Sequence, residues 1–267
     1  MADALPESTL LKEHFRNFRD GSHILHYHNV LDAFGHLSFR HPRQPSVFFL
    51  SHSIAPANIA SPRDLIAYHV EDAEPAEPTP NKGYAERRIH SEIYKRHPHV
   101  NAIVHSHSEA VVPFSIAGVP LRAGYHMAAH IGASGAPVFD IGEHYREEDV
   151  PDMLVRDEHT GAALARCFDD GQTVALMRGH GFTTVAESLE LAVLRAVYTQ
   201  KNAVIQTSAL LINSAWRDSS QSQPQVTYLS QRESEAADAT TRSAATRAWG
   251  LWVREVEACQ LYSNEAA

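Results

Sequence analysis

The stretch Asn101-Ala102-Ile103-Val104-His105-Ser106-His107-Ser108 constrains this chain most. Its β-branched residues read as a buried strand, which breaks off into two histidines separated by one residue. Side chains two apart in a strand share a face, so His105 and His107 project side by side. Neutral imidazole is the commonest metal-ligating side chain, and an open catalytic site needs only a third histidine plus water or a carboxylate. Met177-Arg178-Gly179-His180-Gly181 offers that third ligand: the apolar run Thr173–Met177 ends in a histidine whose flanking glycines let the backbone turn tightly. Both histidine groups close predicted buried strands, and strand ends are where α/β sheets place their chemistry.

With 267 residues the chain can bury a full core, expected over 1–215, with a polar linker and helical tail over 216–267. All 18 histidines lie at or before position 180, which concentrates titratable chemistry ahead of the C-terminal tail. The net charge of −9 argues against nucleic acid or an anionic membrane as a partner. No apolar run approaches the ~20 residues of a membrane span. Two cysteines, Cys167 and Cys259, make neither a metal spacing nor a disulfide framework. The start, Met1 to Pro6, shows no secretory pattern, so a soluble, reducing, cytoplasmic setting is expected.

Apolar spacing predicts helical structure from Ser8 to Leu31, split in two at Gly21. Strands follow over Leu37–Phe39, Val47–Leu50 and Leu65–Val70, punctuated by Pro42, Pro45 and Pro56, which reads as an antiparallel meander. Beyond the acidic, proline-rich loop Glu71–Asn81, a helix is predicted over Tyr84–Lys95; Glu86, His90 and Ile93 fall on one stripe of it. Further helices are predicted over Glu109–Ile116, His159–Phe168, Ser188–Leu211 and Glu233–Glu257, and a strand over Pro137–Ile141. Apolar residues on two sides of the Ser188 helix predict burial between the sheet and a neighbour, and Arg217–Gln225 is polar.

These motifs together resemble the class II aldolase/adducin family over Phe15 to Leu211. The matching elements are Gly35-His36-Leu37-Ser38-Phe39-Arg40, the Glu86 helix before His-x-His, Tyr125-His126-Met127, and Arg178-Gly179-His180-Gly181 followed by the Ser188 helix. The resemblance implies an α/β three-layer sandwich with a central, mostly antiparallel sheet between helix layers, and a homotetramer with sites at subunit boundaries. It also implies one divalent metal ion held by His105, His107 and His180, with Glu86 nearby rather than Glu92. Three imidazoles suit zinc best; an oxygen-rich remainder would also accept manganese or iron.

Sugar-phosphate members of the family hold phosphate with Gly-Asn-x-Ser, Thr-Gly and Ser-Ser-Glu turns. Here His36 replaces the Asn, Ser53-Ile54 the Thr-Gly, and Tyr84-Ala85 precedes Glu86, so nearly every phosphate donor is altered. Phosphate demands several N–H or O–H donors, so a non-phosphorylated substrate is expected. The sequence is more similar to the metal-dependent decarboxylase branch typified by 3-hydroxy-2-methylpyridine-4,5-dicarboxylate decarboxylase, through Gly35–Pro42, Leu50–Pro56, Glu86–Tyr94 and Val138–Ile141.

The expected activity is therefore that of a carbon–carbon lyase, a decarboxylase of a hydroxyaromatic or β-keto carboxylate that proceeds through an enolate polarised by the metal. Glu86, His126 and Tyr125 are the candidates for proton movement, since the family's tyrosine before the methionine is here His126, with Tyr125 one position earlier. Arg178 leads the candidates for binding a small carboxylate substrate, followed by Arg40, His52, Ser53 and His36. Two other readings compete: an aldolase or retro-aldolase on a non-phosphorylated hydroxy-keto acid, and a non-catalytic, adducin-like assembly module.

Overall fold

Short β-branched and aromatic runs, bounded by Pro, Ser and Asn, assemble into one seven-stranded sheet in a computed structural model that describes residues 6–216 and 225–265. The strands are β1 (His36–Arg40), β2 (Val47–Ser51), β3 (Leu65–His69), β4 (Ala102–Ser106), β5 (Val138–Phe139), β6 (Val174–Met177) and β7 (Gly181–Ala186). They lie in the order β3-β2-β1-β4-β7-β6-β5. Only β5 and β6 run parallel, so the sheet is mostly antiparallel, as expected.

Alternation along β4 divides the core in two. Ala102 and Val104 point toward α1 (Glu7–Tyr27), α5 (Leu189–Ala215) and α7 (Ala245–Ala258), packing with Phe18, Ile24, Val193, Val197 and Trp252. Ile103 points to the other face, toward α2 (Arg87–Arg96) and α4 (Glu158–Ala165), packing with Ile89, Ile93 and Leu164. Helices on both faces make the three-layer α/β sandwich that the sequence implied. Fully burying one such Leu, Ile or Val is worth about 1.5–3 kcal/mol, and both faces of β4 gain it. By the same alternation His105 shares the α2 face with Ile103.

The structure corrects several boundaries. Helix α1 is continuous through Gly21 rather than two helices. A Cβ there would come within 3.1 Å of Leu37 and 3.2 Å of Val193, so this glycine marks a close crossing and not a break. The predicted single C-terminal helix divides into α6 (Gln231–Ser243) and α7 at Ala244 (φ −99°, ψ 3°). Helix α6 packs on the segment around His126–Ile131 while α7 packs on α1 and α5, so the chain must turn between them. Helix α2 begins at Arg87, which puts Glu86 at its N-cap, and α3 is trimmed to Val112–Ile116. The predicted strand over Pro137–Ile141 shrinks to β5, and the His159 helix ends at Ala165 before a 3₁₀ turn. Strand β7 was missed, although Phe182, Thr183, Thr184 and Val185 favour extended backbone. Of the polar Arg217–Gln225 stretch all but Gln225, and of Met1–Pro6 all but Pro6, lie outside the described residues.

Candidate metal centre

The centre sits where β1, β4 and β7 end side by side. Register pairs His36 with His105 and His105 with Thr183, and the β6–β7 turn, Arg178 to His180, folds His180 back over that edge. Gly179 takes φ +64° in this turn, a conformation that favours glycine. At Gly181 a Cβ would lie 2.0 Å from the Ser106 carbonyl oxygen, so only glycine lets the turn approach β4 this closely.

The imidazoles of His105, His107 and His180 converge through their Nε2 atoms. His107 Nε2 lies 3.1 Å from His105 Nε2 and 3.0 Å from His180 Nε2. Glu86 Oε2 stands 3.7 Å from His105 Nε2 and 3.8 Å from His180 Nε2. All four ligand atoms fall within 4.8 Å of one another. Ligands about 2.0–2.1 Å from a tetrahedral ion lie roughly 3.3 Å apart, so these donors fit a single divalent cation with only small adjustment.

The surroundings prepare the same atoms. His180 Nδ1 donates to the Met153 carbonyl at 3.0 Å, leaving the Nε2 lone pair free. Met153 itself is held at φ +70°, uncommon for a residue with a side chain, and its amide donates to Tyr145 Oη at 2.9 Å. On the other side, Thr183 gives its hydroxyl proton to Met177 Sδ, so His105 Nδ1 at 3.2 Å is the donor to Thr183 and its Nε2 is likewise free. Burial keeps the ligands neutral: His105 lies well below the ordinary imidazole range, His107 is lowered, and His180 is pushed down to about 4. Metal binding requires this protonation state.

Glu86 is buried and splits its carboxylate. Oε1 accepts the Val155 amide at 3.1 Å, and Oε2 faces the histidines. Burial raises its pKa to about 7, outweighing the Val155 hydrogen bond. Glu92 is outside the cluster, paired with Arg88 and Lys95.

Behind the ligands, His36 stands 5.0 Å from His105 and 4.7 Å from Tyr84, ring centre to ring centre. Tyr84 donates to the Ile54 carbonyl at 2.5 Å, which brings the Ser53-Ile54 loop next to this wall. His52 lies in the same loop, 3.7 Å from Asp64. Arg178 occupies the β6–β7 turn, half exposed, with Nε 2.5 Å from Asp140. A cavity of about 340 Å³ opens on the His107 side, bordered by Asn29, Asp32, Ser108 and Gln200. That volume is within the usual range of small-molecule sites.

Three predicted residues are not at the cluster. Arg40 lies at the far end of β1, where its guanidinium is taken up by the carbonyls of Pro45, Tyr94, His97 and Val100. Tyr125 packs against Tyr198 of α5 on the opposite face of the sheet, and His126 beside it is exposed. Neither touches the histidine cluster among the described residues. The sequence reading also missed partners: His90 bonds His36, and Ser38 and Tyr94 extend that contact inward. Their spacing held the signal, since His36 and Ser38 share a strand face and His90 and Tyr94 share a helix face.

The class II aldolase and adducin N-terminal domain matches residues 19–207. The chain belongs to the class II aldolase and adducin family. A curated relative, decarboxylase TropJ of Talaromyces stipitatus, is 44% identical over 258 residues, covering 94% of this chain and 97% of the relative. A 3,4-dihydroxyphthalate decarboxylase of Arthrobacter keyseri is 33% identical over 113 residues, 41% of each chain. Among solved structures, an aldolase II superfamily protein from Pseudomonas syringae superposes with a TM-score of 0.71 at 17% identity, covering 98% of both chains. L-fuculose 1-phosphate aldolase from Glaciozyma antarctica gives 0.69 at 18% identity, covering 96% of this chain and 93% of that one. These structures share the fold. Within the family the chain is an enzyme, a carbon–carbon lyase, with a histidine and glutamate cluster able to hold a metal ion. No helix among the described residues is long and apolar enough to cross a membrane.

Proposed function

We propose that this class II aldolase family member is a metal-dependent decarboxylase of a non-phosphorylated hydroxyaromatic or β-keto carboxylate. The full-length likeness to a decarboxylase carries the reading, in a chain whose own residues form a four-donor cluster. The relatives named for a dihydroxylated aromatic diacid favour the hydroxyaromatic class.

Decarboxylation breaks a carbon–carbon bond, releases carbon dioxide and leaves an electron pair on carbon until a proton replaces the lost group. A divalent ion, zinc first and manganese or iron next, would be held by His105, His107 and His180 and would supply Lewis-acid polarisation of a substrate oxygen. Glu86 Oε2 is the atom assigned to hold and deliver the proton, since it is buried and faces the histidines while Oε1 is held by the Val155 amide. Arg178 is assigned to the substrate carboxylate, since a guanidinium pairs with it through two parallel hydrogen bonds and this one is half exposed in the β6–β7 turn, where its Nε holds Asp140. His36, beside His105, is assigned to the substrate, as are Ser53 and His52 of the loop that Tyr84 holds, whereas Arg40 is committed to backbone carbonyls.

Tyr125 and His126 act, on this reading, only in the site of another copy, because they lie across the sheet from their own cluster. The exposed apolar residues Val204, Ile205, Leu211 and Ile212 on α5 support such an assembly, which we assign as a homotetramer. The chain is assigned to the cytoplasm.

The test is turnover by the metal-loaded protein of hydroxyaromatic and β-keto acids, with carbon dioxide measured in the headspace and carbonyl products trapped in parallel. Carbon dioxide without a carbonyl fragment is expected. A carbonyl fragment without carbon dioxide selects the aldolase reading. Failure to retain any transition metal, with no product from either class, selects a non-catalytic assembly role.

A further inference from the structure

Four polar side chains run in single file from the wall of the metal centre into the core. His36 Nδ1 lies 2.7 Å from His90 Nε2, His90 Nδ1 lies 2.6 Å from Ser38 Oγ, and Ser38 Oγ lies 2.8 Å from the Tyr94 hydroxyl. None is more than 3% exposed. Arg40 stacks over the Tyr94 ring at 4.6 Å, and among the described residues the Tyr94 hydroxyl bonds only Ser38.

One proton per link allows two arrangements. In the first, Tyr94 donates to Ser38, Ser38 donates to His90 Nδ1, and His90 Nε2–H donates to His36 Nδ1, so the Tyr94, Ser38 and His90 protons each have an acceptor. The ring proton of His36 then sits on Nε2, the edge away from His90, where the neighbouring rings are Tyr84 and His105. In the reverse arrangement His36 donates inward along the chain, and the Tyr94 hydroxyl proton ends in the dry core with no acceptor. Leaving a buried donor unpaired costs its full desolvation penalty, so the first arrangement is favoured.

We propose that this chain locks His36 as the Nε2–H tautomer, making it a hydrogen-bond donor to an anionic substrate oxygen beside the metal centre, with His90, Ser38 and Tyr94 as positioning residues. The identity of that oxygen, a carboxylate or phenolate, rests on the decarboxylase reading; the tautomer does not. A site walled by a fixed donor favours an anionic oxygen there and disfavours a protonated amine in the same place.

The tautomer is read directly from long-range proton–nitrogen correlation spectra of the full-length, metal-loaded protein with ¹⁵N-labelled histidine. His36→Asn serves only to assign the signal. The expected result is an unprotonated Nδ1 and a protonated Nε2 on His36 in the unaltered protein; the opposite pattern, or an even mixture, overturns the proposal. In kinetics on 3,4-dihydroxyphthalate at matched metal content, His90→Leu is expected to lower kcat/KM about tenfold to a hundredfold, the range for a lost hydrogen bond to a charged oxygen, with partial recovery in His90→Gln. An unchanged kcat/KM in His90→Leu also overturns it. If His36 carries the Nε2 proton but no acid yields carbon dioxide, the decarboxylase reading falls and the tautomer lock stands.

Discussion

Replacing Glu86 by Gln in the metal-free protein should stabilise it, and only at high pH. Burial raises the Glu86 carboxyl from its ordinary 4.5 to about 7, so between these values the folded chain holds a proton that the unfolded chain has released. A raised carboxyl favours folding fully below the unfolded pKa and loses that advantage as pH rises through the folded one. At about 1.4 kcal/mol per pKa unit, ionised Glu86 costs about 3 kcal/mol at pH 8 and under 1 kcal/mol at pH 5. Gln keeps an oxygen for the Val155 amide and carries no charge, so the variant avoids the cost. Urea unfolding of chelator-treated wild type and Glu86→Gln at both pH values reads the difference, and the histidine contributions cancel between the two proteins. A gain of about 3 kcal/mol at pH 8 that shrinks below about 1 kcal/mol at pH 5 is expected. Equal differences at both pH values, or a less stable variant at pH 8, would refute the argument. With a cation bound the order should reverse, because the carboxylate then has an opposite charge beside it.

His107→Ala should leave less than about a tenth of an equivalent of metal on the purified protein; wild type at 100 times its dissociation constant gains about 2.7 kcal/mol from the cation, and the variant gains nothing. Full metal content and turnover in His107→Ala would remove the proposed centre. Arg178→Lys keeps the charge but loses the paired geometry, so KM for a carboxylate substrate should rise about tenfold or more with kcat less affected, measured by initial rates. Gly181→Ala drives a methyl group against the Ser106 carbonyl, so it should weaken metal affinity and lower the thermal midpoint. A variant with wild-type metal affinity would show that the turn can move aside without disturbing His180.

Much of the histidine cluster was legible because its signals are local. The β-branched run before His105 and the glycines around His180 mark strand ends without knowledge of the sheet order. Placing those ends side by side needed pairing across long separations, His105 with Thr183 and with His36, which no local pattern encodes. Gly21 misled for a related reason: glycine reads as a breaker in isolation, but here it admits Leu37 and Val193 from elements far along the chain. Arg40 looked available because guanidinium suits carboxylates, whereas the fold spends it on the backbone carbonyls of Pro45, Tyr94, His97 and Val100. Strand β7 was overlooked because the glycine turn that ends one apolar run also begins the next.

Strand β4 is bonded on both edges, to β1 and to β7, whereas His180 rides on a hairpin turn at the rim. Fraying reaches rims long before it reaches central strands. His180, held by the Met153 carbonyl, and His107, just past the end of β4, are therefore the histidines that local opening would reach before His105. The integrity of the cluster would thus depend on a few loop residues as much as on the histidines themselves.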